Sequence, residues 1–277
     1  FPSHAGNPDP LWSRGLGDVY KRQTLVIANQ KGGVGKTTTA LNLAASLSAA
    51  SRKVLLIDLD SQKNSTSASG IDTDISSSLL DVLIDNKPIN SIILKTEFKF
   101  DLIPASQDLI SAEMELINIG NPTAVLREKL RQIKYDYDYI VIDCPPSLGM
   151  LSVSALRAAD KVLIPLQCEY YSLEGLAAMN QTIQEINSST GDQIKISVIL
   201  RTMFDIRNKS AREVSQELEK HFSEELCTTV IPRNVKLSEA PSYGMPALYY
   251  EPEAKGTIAY LALAGELINK YEKDSAA

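Results

Sequence analysis

The chain is 277 residues long, with 44% hydrophobic residues, a net charge of −6 and three cysteines; that length suits one large domain with an ample core. An acidic average excludes a surface coated throughout by nucleic acid and leaves room for a local basic patch. No apolar run is long enough to span a bilayer, and Cys144, Cys168 and Cys227, far apart and without a C-x-x-C pair, give neither a disulfide framework nor a zinc site and point to a reducing cytoplasm. Residues 1–23 stand apart. They hold Pro2, Pro8, Pro10, three glycines and the only tryptophan, Trp12, with no periodic apolar face. This segment is expected to be disordered or foreign to the domain that follows. Arg14, Lys21 and Arg22 are too scattered to mark a nucleic-acid arm.

The domain is expected over 24–277. Leu25-Val26-Ile27-Ala28 reads as a buried strand, and residues 39–47, rich in Ala and Leu at helical spacing, read as a helix. Between them lies Gln30-Lys31-Gly32-Gly33-Val34-Gly35-Lys36-Thr37-Thr38. A glycine-rich turn entering a helix brings backbone N–H groups and the positive end of the helix dipole to an anion. In such a loop Lys36 reaches the β- and γ-phosphates and the Thr37 hydroxyl ligates Mg²⁺. The usual G-x-x-x-x-G-K-[ST] pattern is not fully met: Gln30 replaces its first glycine, and a second lysine, Lys31, stands at the front.

Val54-Leu55-Leu56-Ile57-Asp58-Leu59-Asp60 is a second strand of the parallel type. Ligands of parallel sheets lie beyond the carboxyl ends of the strands, which puts Asp60 near the phosphates. Residues 65–98 mix Ser, Thr and Asp with short helical pieces such as 79–84. A strand is expected at 100–105 and a helix at 122–133, with Pro122 at its start. Tyr139-Ile140-Val141-Ile142-Asp143 is an apolar run ending in acid, the Walker B form whose aspartate holds Mg²⁺. Further strands follow at 161–166 and 194–200, and helices at 173–186 and 209–221. The last helix, 257–271, has too few basic residues near its end for a membrane anchor and reads as a packing helix. Strand alternating with helix gives an α/β fold, a mostly parallel twisted sheet with helices on both faces.

The K-G-G-V-G-K-T loop resembles the deviant Walker A motif of the ParA/MinD superfamily of P-loop ATPases. From residue 24 to about 273 the chain resembles ParA-type chromosome and plasmid partition ATPases, especially the Soj-like branch. Gln167-Cys168-Glu169-Tyr170-Tyr171-Ser172-Leu173-Glu174-Gly175 and the stretch 229–242, expected as a long polar loop after a strand, carry that likeness further. Asp60-Ser61-Gln62-Lys63-Asn64 is similar to the family's D-x-D-P-Q-G-N run, with Ser61 in place of Pro and Lys63 in place of Gly. The resemblance implies a P-loop NTPase fold that binds ATP with Mg²⁺ held at Thr37, Asp60 and Asp143. Catalysis then falls to Lys31, Lys36 and Asp60, with Asp60 orienting the attacking water. Lys31 would cross to the nucleotide of a second subunit, making the ATP state a homodimer.

The same resemblance implies nucleotide contacts from Lys31, Gly32, Gly33, Val34, Gly35, Lys36, Thr37 and Thr38, with Pro232, Arg233 and Asn234 beside the adenine. Met203 stands where guanine-binding relatives carry the lysine of N/T-K-x-D, which favours ATP. Pro145-Pro146-Ser147 would begin a switch loop that senses the γ-phosphate. DNA would be bound without sequence preference through Arg207 and Arg233, with Lys236 second, within a basic stretch that also holds Arg201, Lys209 and Arg212. A ParB-type centromere-binding partner, a cytoplasmic location on the nucleoid and no membrane contact complete the implied function. A MinD-like division-site or other cargo-positioning ATPase is the alternative. Nitrogenase-iron-protein-like reductases and iron–sulfur carriers need cysteine patterns that are absent, and a nucleotide-binding scaffold would not need both Asp60 and Asp143.

Overall fold

Runs such as QTLVI, VLLID and YIVID are apolar at nearly every position, the composition of strands covered on both faces. In the structure, a computed structural model that describes residues 22–71 and 78–272, they lie in one eight-stranded sheet. Its strands are β1 (Gln23–Ile27), β2 (Val54–Asp58), the two-residue β3 (Leu94–Lys95), β4 (Asp101–Ile103), β5 (Tyr139–Asp143), β6 (Lys161–Gln167), β7 (Ile196–Phe204) and β8 (Leu226–Pro232). Their spatial order is β3-β4-β2-β5-β1-β6-β7-β8. Every neighbouring pair is parallel except the edge pair of β3 with β4.

The helices are α1 (Lys36–Ala49), α2 (Asn64–Ser67), α3 (Leu79–Leu83), α4 (Leu109–Leu116), α5 (Val125–Ile133), α6 (Met150–Ala158), α7 (Ser172–Thr190), α8 (Lys209–His221), α9 (Val235–Glu239), α10 (Ala247–Tyr250) and α11 (Lys255–Glu272). Alternation along the strands divides the core. Leu55, Ile57, Ile140 and Ile142 pack with residues of α3 to α8. Val54, Leu56, Tyr139 and Val141 pack with α1 and α11 on the other face. Helices on both faces of a parallel sheet are what the sequence pattern predicts.

Register positions the chemistry. Ile27 and Asp58 both pair with Asp143, so β1, β2 and β5 end level at one edge of the sheet. β1 opens at Gln23, a buried residue, so the segment expected to be disordered or foreign over 1–23 stops short of Gln23; its residues 1–21 lie outside the described residues. Pro122 does not start its helix, because α5 begins only at Val125. The expected loop at 229–242 is mostly regular: its first residues finish β8, Asn234 caps α9 by accepting from the Lys236 N–H at 2.8 Å, and a 3₁₀ turn follows at Ala240–Tyr243. An asparagine at the N-cap satisfies a free helix N–H, which ends the strand's hold on the chain there.

The last helix is a packing helix, as expected. α11 packs against α1 and β8 and buries Tyr260, Leu263 and Leu267. Glu272 at its end accepts from two of the Arg52 guanidinium nitrogens, Nε at 2.8 Å and Nη2 at 2.7 Å, and from the Tyr139 hydroxyl at 3.0 Å. Among the described residues no helix is long and apolar enough to cross a membrane. Two glycines, Gly70 after α2 and Gly244 after the 3₁₀ turn, meet backbone to backbone. Both have positive φ, and a Cβ at Gly70 would lie 3.0 Å from the Gly244 carbonyl oxygen.

Candidate nucleotide site

The loop between β1 and α1 is tied from several sides. Gly35 caps α1 in the left-handed region, φ 89°, which a side chain would strain. The Asn29 side chain accepts from the Lys31 N–H at 2.9 Å and donates to the Pro165 carbonyl at 2.8 Å. From β7 the Thr202 hydroxyl donates to the Val34 carbonyl at 2.8 Å. Lys36 is buried and its Nζ donates to the Lys31 carbonyl at 3.3 Å. Burial lowers its pKa, while the nearby Asp143, Cys144 and Asp60 push it back up. The result is a cationic nitrogen already curled over the loop, beside the free N–H groups of the first turn of α1.

Three strand-end aspartates face this loop and do different work. Asp58 is fully buried; its Oδ2 accepts the Thr66 N–H and hydroxyl, both at 2.8 Å, and its Oδ1 accepts the Asp60 N–H at 3.1 Å. It holds the turn that follows β2. Asp143 is also fully buried, and its Oδ2 accepts the Ser65 hydroxyl at 2.7 Å. Its Oδ1 has no partner among the described residues. Burial raises the pKa of both carboxyls, and each repels the other's charge or that of Asp60; the Thr66 bonds hold Asp58 down in part, as the Ser65 bond does for Asp143, with the Thr37 hydroxyl close by.

A buried carboxylate oxygen without a donor, beside a threonine hydroxyl, fits a divalent cation. No group of three or more His, Cys, Asp or Glu side chains forms a metal cage among the described residues. Mg²⁺ needs no such cage, since it binds through one or two carboxylates together with phosphates and water. The residues present therefore suit Mg²⁺ at Asp143 and Thr37.

Asp60 lines a cleft of about 470 Å³ together with Gly32, Gly33, Gly35, Lys36, Thr37 and Thr38. Its Oδ1 accepts the Gln62 N–H at 3.0 Å. Gln62, Asn64 and Pro146 complete that side of the cleft, and Met203 and Ser238 also line it. Lys63 sits in the left-handed region, φ 57°. That conformation is the physical reason a glycine suits this position, and the lysine bears it as strain of order 1 kcal/mol. Met203 is likewise left-handed, φ 49°, with its Sδ accepting from Gln167 at 3.1 Å.

The structure brings together the expected loop, Asp60, Asp143 and Met203. Pro232, Arg233 and Asn234 lie outside the lining of the cleft, which their segment reaches through Ser238. Lys31 does not lie over the cleft: its Nζ is 2.6 Å from Glu169, both side chains about half exposed. Glu169 is a site residue that local sequence could not reveal, because its partner is 138 positions away. Ser65 and Thr66, which hold Asp143 and Asp58, are hidden in an unremarkable Ser/Thr run.

The basic stretch divides. Arg201 is buried and belongs to the fold, not to a surface. It donates to Ser215 at 2.8 Å, Glu219 at 2.9 Å and the Cys227 carbonyl at 2.8 Å, joining β7 to α8 and β8. Arg207 is exposed and forked onto Asp205 at 2.9 and 2.7 Å, which with Arg233 nearby holds that carboxyl down to about 2. Lys209 pairs with Glu213, and Lys236 with Glu239. Arg233 makes no hydrogen bond or ion pair among the described residues.

A glycine-rich loop with backbone N–H groups at the start of α1, and carboxylates delivered by neighbouring β5 and by β2 beyond it, places the chain among the P-loop ATPases. Residues 22–196 match the AAA domain family. The chromosome partitioning protein ParA of Myxococcus xanthus is 47% identical over 248 residues, 89% of this chain and 88% of that protein. The sporulation initiation inhibitor protein Soj of Bacillus subtilis is 44% identical over 88% of this chain and 97% of its own. Cobyrinic acid a,c-diamide synthase from Mycobacterium smegmatis, solved with ADP and magnesium, shares the fold with a TM-score of 0.79 at 32% identity, over 91% of this chain and 96% of that one. The chain belongs to the ParA/Soj family of chromosome-partitioning ATPases.

Proposed function

We propose that the protein is a dimerising Mg-ATP switch that binds DNA without sequence preference and moves chromosome or plasmid DNA. The observation that carries this reading is the front lysine. Lys31 adds a second cation to a loop whose own lysine, Lys36, already covers the phosphates, and it is held outside the cleft by Glu169. A cation parked at the rim is free to serve a second subunit's nucleotide once its exposed ion pair opens, a pair of the kind that costs at most about 1 kcal/mol to break.

When bound, Mg-ATP supplies the phosphoryl group and a cation that offsets its charge. Lys36 and the first-turn N–H groups bind the phosphates. Thr37 and Asp143 would hold the metal. Asp60 orients water, with its loop fixed by Asp58 and Thr66. Met203 and the 232–238 segment flank the base. In the dimer Arg207, Arg233 and Lys236 each occur twice, so the cations offered to DNA phosphates double on closure and affinity rises steeply. A ParB-type partner would accelerate hydrolysis and release the dimer, and the protein would work in the cytoplasm on the nucleoid. A MinD-like membrane cycle is less favoured, because α11 commits Tyr260, Leu263 and Leu267 to packing against α1 and β8.

The test is analytical sedimentation in ATP and in ADP, with DNA filter binding at several salt concentrations. A dimer and salt-sensitive DNA binding are expected in ATP only. Arg233→Ala should lower the slope of log affinity against log salt by about 0.9 for each DNA phosphate that is no longer neutralised. Equal binding in ADP and ATP would sink the switch, and sequence-selective binding would indicate a repressor instead.

A further inference from the structure

A second cavity lies at the other end of the sheet, where β1, β6 and β7 begin. It measures about 330 Å³ and is lined by Arg127, Arg131, Lys134, Arg157 and Lys195, with Asp160 and Asp192 as its acids. In a chain of net charge −6 this local excess of three positive charges is unusual. Both acids are already engaged. Asp192 is shared by two arginines, Arg127 at 2.9 Å and the buried Arg157 at 2.6 Å. Asp160 accepts Lys134 at 2.8 Å and the Thr24 N–H at 2.9 Å. Arg131 and Lys195 are exposed and make no hydrogen bond or ion pair among the described residues.

The plain explanation for cations here is the fold itself. α5, α6 and α7 all end at this pocket, and each helix end carries about −0.5 of an elementary charge. Three ends offset about half of the excess and leave roughly +1.5. That remainder sits in a formed cavity, with two uncommitted cations at its mouth and a buried arginine fixed in its wall. A phosphate monoester carries about −1.5 to −2 at neutral pH. Its charge matches what the helix ends leave, and its oxygens match guanidinium donors.

We propose that this pocket is a second anion site, which takes phosphate, free or as the phosphate monoester of a small molecule. It is separate from the nucleotide cleft, at the opposite end of five-residue β1, on the order of 15 Å away along the strand.

The experiment uses the full chain with saturating Mg-ADP to occupy the nucleotide cleft, and calorimetric titration at constant ionic strength. The probes are inorganic phosphate and glycerol 3-phosphate. Saturable binding of at least one is expected. Arg131→Gln with Lys195→Gln should weaken it by about tenfold for each charge-assisted hydrogen bond removed, and Lys220→Gln, a distant exposed change, should not. Tighter binding of the ester would identify a phosphorylated metabolite as the ligand, tighter binding of inorganic phosphate would identify free phosphate, and equal binding would show a site that reads the phosphate group alone. No saturable binding of either probe, or equal weakening by Lys220→Gln, overturns the proposal. Both altered side chains are exposed, so the double variant keeps its fold; unchanged affinity in it also overturns the site.

Discussion

The two ends of the sheet handle charge in opposite ways. At the carboxyl end the cations are few, the donors are backbone N–H groups, and Asp58 and Asp143 are fully buried. At the amino end the backbone presents carbonyls, where three helices stop, and the cations are a mesh of long side chains around Asp160 and Asp192. A site made from backbone and one buried lysine fails when one element is changed. A mesh loses strength by degrees. The contrast explains how one chain of acidic average can be strongly basic in one hollow and depend on single lysines in another.

The sharpest way to break the contrast is Lys36→Ala. ATP affinity should fall on the order of 100-fold or more, whereas Arg131→Gln at the other end should leave it within about twofold, being beyond a Debye length. Equilibrium dialysis with labelled ATP compares the two. Next in size is Asp60→Ala. Single-turnover hydrolysis should slow on the order of 100-fold while ATP still binds; parental turnover would reduce Asp60 to a cap for the turn at Gln62.

Asp143→Asn should act on stability. The folded-state pKa of Asp143 lies above the ordinary carboxylate value because of burial and the Asp58 charge. The native state therefore binds its proton more readily than the unfolded chain does. Stability of the metal-free protein should rise as pH falls from neutrality toward the ordinary carboxylate range near 4, and decline as pH rises. The asparagine variant should show a shallower slope and be more stable above neutrality, on the order of 1–2 kcal/mol. Urea melts from pH 5 to 8 give the slopes, and an equal slope in both proteins would place the titration elsewhere. The smallest effect is expected from Glu169→Gln. Freeing Lys31 should tighten the ATP dimer by up to about fivefold, and Lys31→Gln should abolish it; sedimentation equilibrium reads both.

Most of the carboxyl end could be read along the chain, because its parts are local. The apolar runs before Asp60 and Asp143 announce both strand and the acid beyond it, and α8 has the bounds expected for it, 209–221. The amino end could not be read so. Arg127, Arg131 and Lys134 look like the wet side of an amphipathic helix until Asp160 and Asp192 are brought to them from distant turns. Arg201 misleads for a related reason: strand position alone does not say that Glu219 and the Cys227 carbonyl will close around it. Strand order is equally hidden, since nothing local sets β5 between β2 and β1.

Gly70 and Gly244 join the turn that carries Asp60 to the segment that carries Arg233 and Lys236. Their contact has no side chain to bend or switch rotamer, so it has almost no give. Each backbone therefore limits how far the other loop can press inward. A methyl group at Gly70, 3.0 Å from the Gly244 carbonyl oxygen, would force the two backbones apart. The two loops would then shift together with the nucleotide loop itself untouched.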